Sequence, residues 1–414
     1  MKNAAPNDYG ALTIKTSKCD AEQLNYCYDG RSKTMLRKFE GQCAVSNPGL
    51  RLDCPSVPPL EFVSGVEAGW DDPATSLGLR TIFQSRSGVL YVGGFKLEVI
   101  YDYTGYPSYY TWTGKVYKSV DNGQSWVGVE LPNDNYWYGY VRRIIQDSSG
   151  ALYAAGTRLW KSTDGGNTWS IISQSFADVA SAHVYDVLES KDGSLIALVY
   201  KFQYPNEVYQ SYDGGKTWQL ILKPDFKYFS TYTNSYITSS SYNFIEANDG
   251  SLIFSTHNGD IYLYSNDALT KILTTGIYSG NLHFLKTRDG TLYFVAVDPK
   301  KPDGALVSYQ SSDNGRTWTI TGELPYSSLL ALDAPIEGSD GSVWATVNTD
   351  CWQSTIYKSS DKGVSWSPVA TAPSLFLNQY NNYRIQGPGI IDIAESGGKI
   401  YSVPYGFGAV FVVP

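Results

Sequence analysis

One octapeptide recurs five times along the chain: SVDNGQSW at 119–126, STDGGNTW at 162–169, SYDGGKTW at 211–218, SSDNGRTW at 311–318 and SSDKGVSW at 359–366. A decayed copy, SNDALTK, begins at Ser265, so that successive starts lie 43, 49, 54, 46 and 48 residues apart. A second repeat, a tight turn and a short strand, precedes the first in each unit: SGVLYV at 87–92, SGALYA at 149–154, DGSLIA at 192–197, DGSLIF at 249–254, DGTLYF at 289–294, DGSVWA at 340–345 and GGKIYS at 397–402. Each unit therefore reads strand, turn, strand, loop, strand, octapeptide turn, strand. A period of about 45 residues with four strands is that of a propeller blade. Seven turn–strand copies predict an all-β, seven-bladed β-propeller of four-stranded antiparallel blades; a six-bladed ring with a stray hairpin is the alternative. The last unit, from Ile390, has room for three strands. The segment LEFVSGVEAGW at 60–70 is expected to supply the fourth, closing the ring and removing exposed sheet edges.

Within the octapeptide, the carboxylates Asp121, Asp164, Asp213, Asp313 and Asp361 are placed to cap backbone amides of their own turn. The Gly permits positive φ, and the Trp plugs the turn onto the blade. These five Asp read as structural, not catalytic. The repeat resembles that of the Asp-box, or BNR-repeat, β-propellers, a group that includes sialidases, xyloglucanases, sortilin-type receptors and photosystem assembly factors. The resemblance covers residues 80–414. It implies the fold and leaves the activity open, because those relatives do unrelated things.

Residues 1–59 read as a separate Cys-rich cap with a Pro-rich link, CPSVPPL, and residues 60–414 as the propeller. Cys19, Cys27, Cys43 and Cys54 have seven, fifteen and ten residues between them, without the close pairs or the His of a zinc site. Two disulfides are expected, in any of three pairings, with Cys19–Cys27 and Cys43–Cys54 as the first choice. TMLRKFEG reads as a short helix. Disulfides imply an oxidising compartment, so a secreted or cell-surface location is expected, although the start, MKNAAPNDYG, shows no signal peptide. A net charge of −8 argues against nucleic acid and anionic membranes, and no apolar run is long enough to span a bilayer. No cofactor motif and no metal site is recognisable.

Aligning each innermost strand on the Gly of its turn places Thr81, Arg143, Asp186, Asn243 and His283 at one level in blades one to five, with Asp333 and Asp392 nearest to it in six and seven. Seven polar side chains within apolar strands predict a ring at one mouth of the channel, since burying them unpaired would be costly. Three connecting loops (133–140, 223–242 and 375–389) and one second-to-third-strand loop (101–114) share that mouth and are rich in Tyr, Trp, Asn and Gln. Such residues bind sugars by stacking and amide hydrogen bonds, and they also suit protein interfaces. Tyr136, Trp137, Tyr140, Tyr242, Tyr383, Arg384 and His183 join Arg143, Asn243 and Thr81 as candidate substrate-binding residues.

The expected partner is a polysaccharide or other glycan, with a protein as the second expectation. Asp186, His283, Asp333 and Asp392 are the catalytic candidates. Pairs of the Asp would serve glycoside hydrolysis. For a polysaccharide lyase, Arg143 would neutralise a uronate carboxylate, and His283 or a mouth Tyr would remove the C5 proton. A sialidase needs three arginines on the carboxylate; Arg80 and Arg384 are available, but no third stands out. The alternative to an enzyme is a non-catalytic scaffold or adhesin that binds through its Tyr-rich face.

Overall fold

Strand, turn and strand repeat around an axis until the last sheet is completed by the first strand of the ring. A computed structural model describes residues 24–29, 34–40, 57–67, 75–101, 107–132, 139–172, 182–201, 206–230, 235–238, 241–275, 282–301, 305–324, 332–348, 354–372, 390–404 and 408–414. It contains seven four-stranded antiparallel sheets. Blades one to six span 75–130, 141–171, 182–222, 241–274, 285–323 and 332–371. Blade seven joins 390–412 to the earlier strand Glu61–Gly65, which pairs with Ala409–Val412. The ring thus has seven blades, not six.

First strands pack on first strands, as Ile390–Ser396 does on Thr75–Gln84 and Thr75–Gln84 on Val141–Gln146, so they line the axis. Second strands such as Leu152–Gly156 and Leu292–Val297 are buried throughout, because neighbouring blades cover both of their faces. That is why they read as unbroken apolar runs rather than alternating ones. One such inter-blade core joins Tyr153 and Leu159 of blade two to Val184, Val187, Leu195 and Val199 of blade three. Each of these aliphatic side chains contributes about 1.5–3 kcal/mol by leaving water.

Hydrogen bonds staple the seams near the first-to-second-strand turns. Glu189 accepts from Ser148 N at 2.8 Å, Glu246 from Ser190 Oγ at 2.6 Å and Lys191 N at 2.9 Å, and Glu337 from Arg288 N at 2.8 Å. The octapeptides occupy the third-to-fourth-strand turns at the same end. Asp164 accepts from Ser162 Oγ (2.8 Å), Thr168 N (2.9 Å) and Thr168 Oγ1 (2.6 Å), and Asp121, Asp213, Asp313 and Asp361 repeat the pattern. Bonds from Thr168 and Ser162 hold the Asp164 carboxyl at about 2.

One expectation is corrected. Thr34–Glu40 is a strand, not a helix, and pairs antiparallel with Leu24–Asp29. Seven residues are too few for a helix to hold without packing, and a paired strand satisfies the backbone instead. The segment 223–242 also carries a hairpin, Lys227–Ser230 with Ser235–Thr238. Cys19, Cys43 and Cys54 lie outside the described residues, as does the side chain of Cys27.

Candidate functional site

The polar ring sits on β-bulges. Pairing slips between Leu79 and Thr81, Val141 and Arg143, Val184 and Asp186, Ser241 and Asn243, Asp333 and Ile336, and Ile390 and Asp392. A bulge adds one residue to the strand and re-aims its side chains. In the first three blades the extra residue, just before the ring position, is Arg80, Arg142 and Tyr185 in turn.

Much of the ring is engaged across the seams. Asp392 Oδ2 accepts from Thr81 Oγ1 (2.9 Å) and Ile82 N (3.0 Å) of blade one, and its Oδ1 from Ile393 N (2.9 Å). Asp186 Oδ2 accepts from Asn243 Nδ2 (2.7 Å) and Phe244 N (3.4 Å) of blade four, and its Oδ1 from Val187 N (2.9 Å). Asn243 Oδ1 in turn accepts from Phe284 N of blade five at 3.3 Å. Arg143 Nε lies 3.4 Å from Asp186 Oδ1, with its side chain 42% exposed against 4% for the Asp.

The electrostatics centre on Arg143. Burial raises the Asp186 carboxyl, against the pull of Arg143. Burial pushes Asp392 up to about 6, against Ile82 N, Thr81 and Arg143. Burial, then Arg143 and Arg142, hold His283 down at about 3. Arg143 thus acts on groups in blades three, five and seven, and pairs directly with Asp186. His283 is neutral at physiological pH.

A second layer lies towards the mouth. The Arg80 guanidinium sits 5.5 Å from the ring centroids of both Phe95 and Tyr140. Phe95 stacks on Trp112 at 4.5 Å. Tyr140 Oη meets His183 Nδ1 at 2.9 Å. Arg142 lies 4.8 Å over the Tyr185 ring, which stacks on Tyr200 at 4.9 Å and 10°. Burial, with Arg158 and Arg142, holds His183 at about 4. Blades one and two thus set two arginines, Arg80 and Arg142, against aromatic rings, in a chain whose net charge is −8. Such a surface attracts anions and stacks flat rings.

Of the candidates read from sequence, Thr81, Arg143, Asp186, Asn243, His283 and Asp392 share the ring, and Tyr140 and His183 share the mouth layer. Asp333 and Tyr242 lie in inner strands whose backbone alone is described; Tyr136, Trp137, Tyr383 and Arg384 lie outside the described residues. Sequence reasoning missed Arg142, Tyr185, Tyr200, Phe95 and Trp112. A signal existed: VRRI, VYDV and SYNF each place two polar or amphipathic residues side by side, which breaks strand alternation and marks a bulge. Among the described residues no cluster of three His, Cys, Asp or Glu is arranged to hold a metal.

The Sortilin-Vps10 family model (sortilin, neurotensin receptor 3) matches residues 114–371. A xyloglucanase of Hypocrea jecorina (strain QM6a) is 24% identical over 243 residues, which are 50% of this chain and 29% of the xyloglucanase. The chain therefore spans less than a third of that relative's length. Among solved structures, YCF48 bound to D1 peptide superposes with a TM-score of 0.54 at 14% identity, over 89% of this chain and 99% of that one. The propeller domain of Cps50 (Swd1) from Myceliophteria thermophila does so with 0.53 at 12% identity, over 86% and 99%. At such identities the likeness is one of fold.

Proposed function

The chain belongs to the Sortilin-Vps10 family, and from that premise we propose that it is a recognition propeller that binds a carboxylate-bearing glycan at its channel mouth. The observation that carries this reading is the placement of Arg80 over Tyr140 and of Arg142 over Tyr185, with the half-exposed Arg143 next to Arg142 in the same strand. Guanidinium groups grip carboxylates in a fixed fork geometry, and aromatic faces carry pyranose rings. Non-catalytic binding fits the geometry better than catalysis does, because Asp186 and Asp392 are held as seam acceptors by the neighbouring blades. The similarity to a xyloglucanase supports a glycan as the ligand class. A secreted or cell-surface location is part of the reading and rests on the four clustered cysteines.

A second reading, glycoside hydrolysis, is favoured by Asp392, whose carboxyl at about 6 is suited to a general acid near neutral pH. Calorimetric titration of the full chain with oligogalacturonides and with neutral xyloglucan oligosaccharides, followed by product analysis, separates the two. Saturable, salt-sensitive binding of the acidic oligosaccharide without products is expected. The Arg142→Gln, Arg143→Gln double variant should weaken it by about tenfold or more, the worth of one charge-assisted hydrogen bond. Affinity for the neutral oligosaccharide as high as for the acidic one, or acidic binding unchanged in the double variant, would refute the anionic reading. New reducing ends that vanish in Asp392→Asn would establish hydrolysis instead.

A further inference from the structure

Around the ring, each octapeptide turn lodges on the blade before it. In blade three, Gly215 lies so near Ile172 of blade two that a Cβ would fall 2.4 Å from it, and Trp218 Nε1 donates to the Ile172 carbonyl at 3.2 Å. In blade five, Gly315 is pressed in the same way against Ile253, with Leu292 beside it. A lysine of the preceding blade closes over the turn: Lys118 Nζ donates to Asn167 Oδ1 at 2.6 Å, and Lys161 Nζ to the Gly214 carbonyl at 2.8 Å.

Blade four has no such turn. Asn266 and Asp267, at φ 51° and 59°, join its last two strands as a two-residue hairpin without Gly or Trp. A groove of about 510 Å³ opens there between blades three and four. Its walls are those of the missing turn's seat. Ile196 and Leu252 stand at the repeat positions of Ile253 and Leu292, Ile221 at that of Ile172, and Gln210 at that of Lys161. Its floor keeps the Glu246 bonds to Ser190 and Lys191 that staple the other seams. Ile196 and Leu252 form its buried base, Ile221 and Leu220 are partly open, and Tyr264 and Asp267 of blade four line it where a Trp-bearing turn would sit.

We propose that this groove binds a Trp-centred turn of a partner protein, inserted as the chain's own turns are inserted elsewhere. The five octapeptide Trp are all seated in their own blades, each donating Nε1 to the Gly carbonyl of its own turn. A second copy of this chain therefore has no octapeptide turn to lend, and the plug comes from a different protein. The site lies at the octapeptide end of the ring, away from the arginine-lined mouth, and is independent of the glycan reading.

The test uses a synthetic, disulfide-cyclised, fluorescein-labelled hairpin with the sequence of residues 207–222, titrated by anisotropy into the full chain. Saturable binding is expected, weakened about tenfold or more when the peptide's Trp is replaced by Ala. Binding should be lost in a variant whose Ser265–Lys271 segment is replaced by SSDNGRTW, and that variant should melt at a higher temperature. Ile221→Arg, at the rim, reads the same loss if the grafted variant fails to fold. No saturable binding, or binding unchanged by both variants, overturns the proposal. So does cellobiose that competes for the groove while the peptide does not, which would make the groove a sugar site.

Discussion

Asp392 sits where the last blade meets the first, and its replacement by Asn tests which force governs that seam. Ile82 N, Thr81 Oγ1, Ile393 N and the field of Arg143 favour the charged carboxylate. Burial disfavours it and wins, so the folded carboxyl titrates at about 6 against 3.8 for the exposed group. The folded state then keeps the proton to higher pH than the unfolded chain does. The stabilisation is full below about pH 4 and is lost as pH rises towards about 6. Moving the carboxyl from 3.8 to about 6 corresponds to about 3 kcal/mol, at about 1.36 kcal/mol for each pH unit. Asn keeps one acceptor for Ile82 N and does not titrate. Urea unfolding of both proteins across this range should show the variant gaining about 3 kcal/mol on the wild type between about pH 4 and about pH 7. Asp186, also raised, is present in both proteins and largely cancels. A difference that stays flat would refute the argument. A wild type that gains on the variant as pH rises would mean that the donors and Arg143 outweigh burial.

Three further outcomes follow from other seams. Trp366→Ala removes a plug that is 8% exposed and packed between blades five and six, and should cost about 3–5 kcal/mol by thermal or urea unfolding. Glu207 is held down at about 2, since Lys201, Tyr209 and Lys223 outweigh its burial, so its stabilisation is present above about pH 4.5 and lost as pH falls towards 2; Glu207→Gln should cost about 3 kcal/mol near neutral pH and flatten that acid limb. Deleting residues 1–66 removes Glu61–Gly65 and exposes the edge of Ala409–Val412, so it should lower the melting temperature and cause aggregation, whereas deleting 1–56 should leave the ring closed.

The fold was legible because each repeat carries its own punctuation. Gly88, Gly150, Gly193, Gly250, Gly290 and Gly341 all adopt the positive φ that their turns require, and the octapeptide fixes the third-to-fourth-strand hairpin. The level of the ring was legible too, since counting back from those glycines finds Thr81, Asp186 and Asn243 without knowledge of partners. The use of these side chains was not. Their partners lie in the next blade around the ring, 57 residues on for Asp186 with Asn243 and 311 residues back for Asp392 with Thr81, and no local pattern reports such a pairing. Arg142 and Tyr185 were hidden for a different reason. A strand read with strict alternation assigns them to the face opposite their neighbours, and the bulge cancels that assignment. The supposed helix at Thr34–Glu40 failed because its residues suit either state and pairing with Leu24–Asp29 decides.

The ring sorts its polar side chains by charge, and that sorting bears on what the mouth can recognise. A carboxylate buried in a seam can be satisfied by amides and hydroxyls the next blade already offers, as Asp392 is by Ile82 and Thr81. An arginine cannot be satisfied that way, because it only donates, and the backbone groups that Asp186, Asn243 and Asp392 meet across the seams are N–H donors. Asp186 is accordingly buried at 4% side-chain exposure, while Arg143, its ion-pair partner, keeps 42% towards the channel. In this pair the acceptor closes the seam and the cation keeps its exposure. Arg143 thus keeps a cation partly exposed in a chain whose net charge is −8. Placing carboxylates in the channel would require them to leave their seams, so the charge at the axis and the stability of the ring are coupled through the same residues.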